Sequence, residues 1–331
     1  MRRRLIFFTF TLVILFLGLE WFVRANEAAF ESLSSRVLFR IQILTRSPPD
    51  TSTVFVGTSR FADAIDQSLI SKEFGSRAFN AGTAGIVLPE ILQFCEAASR
   101  RESLSTLVVE ASSVAMSSGN EKEDADLSAE SHGEEVDRFA DRIEHGLQQR
   151  LRDHLAVVRC RKALRPKSLL DLAILYSANV VDPGTWSRKG LIRGWFAAAD
   201  FDVPAAQFDS LHPIRFGTGE PPSNVGGRKV SVEEVKGNPV YAGMRMAHDT
   251  MRDSTATIVW VNPPVRQEVR SESGRLRKLV YQEIAEETGS IVLDYSRLPL
   301  DAAFFRDPTH LNEKGRKLFS RLLARDLAEI R

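Results

Sequence analysis

Cysteine is scarce: Cys95 and Cys160 are the only two in 331 residues. Neither sits in a CxxC pair or beside a histidine at ligand spacing, which argues against a zinc site. Both read as unpaired thiols, and a disulfide would require the domain to lie outside the cytosol. An excess of one charge is also missing. Lys and Arg number 44 and Asp and Glu 43, for a net charge of +1. No basic stripe with interleaved aromatics occurs, so nucleic acid is not an expected partner. A nucleotide binder is left without a motif, because there is neither a GxGxxG nor a P-loop. Nothing calls for a cofactor or a metal, and no internal repeat is visible. What remains, 43% hydrophobic and 26% charged residues, is ordinary for one large or two modest globular domains.

The chain has one long hydrophobic run, at its N-terminus. Arg2, Arg3 and Arg4 precede Leu5 to Val23, broken only by Thr9, Thr11, Gly18 and Glu20. Roughly 19 residues just reach the ~20 that cross a bilayer as a helix. Arginines on the leading side put the N-terminus in the cytoplasm and the body outside. Trp21 and Phe22 would lie at the far interface. A cleaved signal peptide ending at Val23-Arg24-Ala25 is the competing reading. Arg24 beside that site and the length of the run favour an uncleaved anchor. Residues 1–25 are therefore expected to be a transmembrane anchor or signal segment. The expected protein is single-pass in the inner membrane, with its body in the periplasm.

Residues 26–50 read as a helical stem, with Phe30, Leu33, Val37, Leu38, Ile41 and Leu44 at helix spacing, stopped by Ser47-Pro48-Pro49-Asp50. Strands are expected at Thr51–Val56, Arg77–Asn80, Ser105–Glu110, Ala256–Val261 and Ser290–Asp294. Helices fall between them: Asp66 caps one that runs to Phe74 and stops at Gly75, and others cover Leu88–Arg101, Val240–Arg252 and Arg266–Thr288. Asn312–Ile330 closes the chain, with Leu318, Leu322, Leu323, Leu327 and Ile330 turned inward. Strands that are apolar throughout and alternate with helices predict a parallel sheet covered on both faces. The expected fold is thus a three-layer α/β/α domain over 51–331 with a five-stranded parallel sheet. It carries a large, mainly helical insertion at about 114–238. That insertion comprises an acidic loop at 117–135, an amphipathic helix at 136–164, an apolar helix at 169–181 and a Gly/Pro/Ser-rich loop at 216–239.

Open parallel sheets bind ligands at the carboxyl ends of their strands. Gly57-Thr58-Ser59, Asn80-Ala81-Gly82, Glu110-Ala111-Ser112 and Asn262-Pro263 all fall at such ends. Ser59 alone would be read as a helix cap. Asp307-Pro308-Thr309-His310 changes that. Three residues apart on a turn stiffened by proline, the carboxylate can fold back onto one imidazole nitrogen. The other nitrogen is then left to take a proton from a serine hydroxyl. His132, His145, His154, His212 and His248 have no comparable company.

Gly57-Thr58-Ser59 after the first strand, Gly82 after the second and Asp307-x-x-His310 before the last helix resemble the SGNH/GDSL hydrolase superfamily. The most specific piece is Asp307-Pro-Thr-His310-Leu-Asn-x-Lys-Gly315. The similarity looks closest to the membrane-anchored bacterial branch that modifies cell-surface and exported polysaccharides. It covers about 51–110 and 255–331, and leaves the insertion unexplained. The resemblance implies a flavodoxin-like sheet and Ser59 as nucleophile. It makes His310 the general base and acid, and Asp307 its orienting partner. It also implies an oxyanion hole from the backbone N–H groups of Ser59 and Gly82. The family's third block, Gly-x-Asn-Asp, is absent: strand three ends Val109-Glu110-Ala111-Ser112-Ser113. Asn80, Asn262 or the hydroxyl of Ser112 or Ser113 would have to replace its asparagine. The implied activity is that of a serine esterase or O-acyltransferase working through an acyl-serine, on a cell-envelope or exported polysaccharide ester. The alternative is an inactive member that binds glycan, or scaffolds an export or modification complex.

Overall fold

The computed structural model describes residues 2–25, 36–112, 208–217, 231–269 and 274–330. The expected elements at 117–135, 136–164 and 169–181, together with Cys160 and Ser113, lie outside these. Two compact units divide the chain: Met1–Gln42 with Asn120–Ser177, and Ile43–Gly119 with Ala178–Arg331. The first unit begins with helix α1 (Arg2–Ala25), and α2 (Arg36–Arg46) runs from it into the second. Among the described residues no helix is long and apolar enough to cross a membrane.

The second unit is built on one sheet of β1 (Thr51–Val56), β2 (Arg77–Asn80), β3 (Thr106–Glu110), β4 (Ile214–Phe216), β5 (Thr257–Asn262) and β6 (Ile291–Asp294), in the order β2-β1-β3-β5-β6-β4. The five expected strands are present, each within a residue of its expected ends, and they pair in parallel. The sheet nevertheless has six strands and is mixed, not five and wholly parallel. β4 lies within the stretch read as insertion, and it pairs antiparallel with β6, with Ile214 opposite Asp294 and Phe216 opposite Val292. A three-residue strand carries no periodicity to read. Tertiary contacts hold it instead: Arg215 reaches Asp326 at 3.4 Å and pairs with Glu329, both near the end of the last helix.

Helices cover both faces. On one lie α3 (Ser59–Ala64), α4 (Gln67–Phe74) and α9 (Glu313–Ala328), which share a core with Phe55, Val108, Val259, Val261 and Leu293. The alternate strand residues Val54, Val56, Leu107, Val109, Trp260 and Val292 are just as buried. On that side α5 (Leu88–Ser99), α7 (Pro239–Thr250) and α8 (Gly274–Thr288) pack together. This two-sided burial is why the strands read as unbroken apolar runs. α4 starts at Asp66, whose carboxylate accepts from Leu69 N–H, and ends on Gly75 at φ 71°, as expected. Two expectations change. Residues 216–239 are not simply a loop, since they contain α6 (Val232–Lys236), capped by Ser231. Arg266–Thr288 is not one helix either: a 3-10 turn at Gln267–Val269 precedes α8.

Candidate active site

The order of the sheet reverses between β1 and β3, and open α/β sheets bind ligands at such a switch point, outside the carboxyl ends of the strands. Ser59 opens α3 directly after β1, with Thr58 as N-cap. As the first helical residue, Ser59 has a backbone N–H with no partner within the helix. Its hydroxyl lies 2.9 Å from His310 Nε2. On the other ring nitrogen, Nδ1, the Asp307 carboxylate sits at 2.9 and 3.0 Å through its two oxygens. The three candidate residues, 251 positions apart at their extremes, thus form a continuous chain from hydroxyl to imidazole to carboxylate. Nδ1 faces a carboxylate and so carries the proton, leaving Nε2 to accept from Ser59.

Asp307 is held by its own loop. One oxygen accepts the backbone N–H groups of Thr309 at 3.0 Å and His310 at 2.9 Å. Burial works to raise the Asp307 pKa, but these N–H groups and the imidazole outweigh it. The carboxyl is held well below the usual carboxylate range. The loop is clamped at both flanks. A bridge joins Phe305 to Leu311, and Arg306 donates to buried Asp63 of α3 at 3.0 Å. Arg266 N–H also reaches the Pro308 carbonyl at 3.0 Å. The residues after His310 are structural. Leu311 enters the core, and Asn312 caps α9 by accepting from Gly315 N–H. Gly315 is required because a Cβ there would lie 2.1 Å from the Phe304 carbonyl.

The expected oxyanion donors are less available. Gly82 N–H donates to Asn80 Oδ1 at 2.9 Å, and the Asn80 amide donates to the Phe61 and Ile65 carbonyls. Neither is free to receive a developing charge. Asn262 donates to Asp294 at 3.0 Å, and its Oδ1 is buried without a partner. Among the described residues named from the sequence, Ser59 keeps an unengaged backbone N–H at the turn. Gly82 instead allows close packing: a Cβ would fall 2.4 Å from Ala62 N in α3.

Two functional candidates escaped the sequence reading, Glu110 and Arg60. The register that pairs Val56 with Val109 sets Glu110 beside Gly57. A Cβ on Gly57 would lie 2.7 Å from the Glu110 side chain. The buried carboxylate accepts from Thr58 N–H at 2.8 Å, Thr58 O–H at 2.9 Å and Ser112 O–H at 2.8 Å. It thereby fixes the turn that presents Ser59, from the strand end where the resemblance led one to expect an asparagine. Arg60 donates to Ser112 Oγ at 2.7 Å and the Pro263 carbonyl at 2.8 Å, and lies 3.6 Å from Glu110. Burial lowers the guanidinium pKa, while Glu110 supports the charge. The signal in the sequence was a carboxylate ending a strand whose other residues are all uncharged. Such a group needs buried partners.

Cys95 is a free thiol inside the core, and burial pushes its pKa up to about 12. Among the described residues no group of His, Cys, Asp and Glu could hold a metal ion. No protein-family description matches this chain. No curated protein matches it either.

Proposed function

We propose that the protein is an SGNH-type serine esterase or O-acyltransferase, anchored by α1 in the cytoplasmic membrane with its α/β domain outside. Its substrate would be an ester of a cell-envelope or exported polysaccharide. The observation that carries the catalytic reading is the 2.9 Å contact between Ser59 Oγ and His310 Nε2, with Asp307 on Nδ1. Nucleophile, base and orienting group are already at hydrogen-bond distance. In the first half-reaction Ser59 Oγ attacks the ester carbonyl carbon, and its proton passes to Nε2. Asp307, ionised, stabilises the imidazolium that results. The tetrahedral oxyanion collapses, the C–O bond to the sugar breaks, and His310 returns the proton to the leaving alkoxide. In the second half, water or another sugar hydroxyl loses its proton to His310 and attacks the acyl carbon, the bond to Ser59 Oγ breaks, and His310 returns that proton to Oγ. Water makes the protein an esterase, and a hydroxyl makes it a transferase.

The anchor reading rests on α1. Val13 to Leu17 are five consecutive apolar residues, each between 44% and 64% exposed. At 3.6 residues per turn such a run presents apolar surface all round the helix, which suits lipid better than one packed face.

The engaged state of Gly82 and Asn80 favours a second reading, a glycan-binding member without turnover. One experiment separates the two. The full-length protein in detergent is treated with a fluorophosphonate probe and assayed on p-nitrophenyl acetate. Labelling and hydrolysis, with both lost in Ser59→Ala and the rate down by about 10⁴ or more, are expected. A parent protein that is folded, unlabelled and inactive supports the second reading. Undiminished labelling of Ser59→Ala removes Ser59 as nucleophile.

A further inference from the structure

Next to the Ser59–His310 contact lies a cavity of about 220 Å³. It meets the triad through Arg60 and Thr309, the chain neighbours of Ser59 and His310. Three guanidinium groups line it, from Arg60, Arg277 and Arg297, against one carboxylate, Asp294. That carboxylate is already engaged, its Oδ1 accepting from the Asn262 amide and from Ser296 N–H, each at 3.0 Å. Glu110 partly balances Arg60 from behind. Among the described residues Arg277 and Arg297 form no ion pair or hydrogen bond. The wall thus carries more positive charge than the described residues neutralise. It also offers a buried acceptor without a partner, Asn262 Oδ1, and a buried donor without one, Arg60 Nε.

We propose that this cavity is an anion subsite, and that the ester attacked at Ser59 is carried by an acidic saccharide. The inference rests on the acyl-transfer reading and deepens it. Guanidinium forks match the oxygens of a carboxylate or phosphate, and such charge-assisted bonds are about twice as strong as neutral ones. Asn262 Oδ1 calls for a donor, which a sugar hydroxyl supplies. The cavity is smaller than the roughly 300–1,000 Å³ typical of drug-sized ligands, so it suits one substituted sugar unit rather than an oligosaccharide. A neutral sugar would fill the space and leave the guanidinium groups desolvated and uncompensated, a cost that works against it.

Binding is tested without turnover, on full-length Ser59→Ala protein in detergent, by calorimetric titration with D-glucuronate, glucose 6-phosphate and glucose. At least one acid is expected to bind about tenfold or more tighter than glucose, with the preference shrinking as salt rises. The tighter acid identifies the anion as carboxylate or phosphate. Arg277→Gln and Arg297→Gln should each erode the preference, and Arg252→Gln, on an exposed side chain of the same unit, should leave it intact. Equal binding of all three sugars overturns the proposal whether or not the arginine variants fold. A preference that survives in a natively folded Arg277→Gln/Arg297→Gln double variant overturns it too. Neither result touches the labelling experiment on the parent protein, so the subsite and the catalytic reading fail separately.

Discussion

Asp307 packs most of the chemistry of this site into one side chain. Its carboxylate organises its own turn through two backbone N–H groups and grips the imidazole that faces Ser59. Its pKa in the folded protein lies below the unfolded value of about 3.9. The folded state therefore binds the proton less readily than the unfolded state does. The stabilisation is full above the unfolded pKa and drains away as pH falls through the folded value. Asp307→Asn is expected to be less stable than the parent at neutral pH. The gap should narrow once pH drops below about 4; urea denaturation across that range measures it. Its turnover of p-nitrophenyl acetate should fall by about 10⁴, as loss of the orienting carboxylate does elsewhere. The D-x-x-H spacing and the proline made this pair legible in the sequence, because both partners lie on one short turn. The state of Gly82 and Asn80 was not legible. Whether an N–H or an amide is free depends on which carbonyls the fold brings near it, here Phe61 and Ile65.

Elements set the angle at which Ser59 is offered. The turn from β1 into α3 has little room and is held by Glu110 at the end of β3, with Thr83 N–H on the Gly57 carbonyl at 2.9 Å. Truncating it in Glu110→Ala would strip Thr58 of the acceptor for both its N–H and O–H. It would also leave buried Arg60 without its counter-charge. Removing one partner from a buried charged network costs about 3–5 kcal/mol. Chemical denaturation should register a loss of that order, and fluorophosphonate labelling of Ser59 should slow in whatever protein remains folded. α3 itself went unforeseen, since six residues hold less than two turns and show no period. It exists because Thr58 caps it and Phe61 is buried beneath it. α4, by contrast, carried its start and stop in the sequence, as Asp66 and Gly75. The edge strand β4 lies between Pro213 and Gly217 but is too short to show periodicity, and depends on Arg215 meeting the far end of α9.

At the scale of the whole molecule, the proposed anchoring rests on α1. In the sequence three arginines precede the apolar run Leu5 to Val23 and one, Arg24, follows it. Full-length protein is expected in the membrane fraction, resistant to alkaline carbonate and released by detergent. A version lacking residues 1–25 should be soluble. External protease acting on spheroplasts should reach the α/β domain of the anchored form, and protection of that domain would reverse the orientation proposed for it. The sheet was largely foreseeable because parallel strands buried on both faces are rich in apolar residues, and most of them were bounded by a Gly, Pro or Asn signal, β3 being the exception.

The sequence by itself determined the local facts. Val54 to Val56 read as a buried strand ending at Gly57, Asp307 was within reach of His310 across its own turn, and Asn312 opened the last helix. Each follows from residues close together in the chain, where spacing and backbone sterics suffice. Only the tertiary structure decided the rest. It brought Ser59 to His310, inserted Glu110 behind the turn in place of the expected asparagine, and withdrew Gly82 and Asn80 into packing. It also gathered Arg60, Arg277 and Arg297 from three separate elements around one cavity. These contacts depend on strand order and register. A sheet sets those through the burial of whole faces, not through any short run of residues.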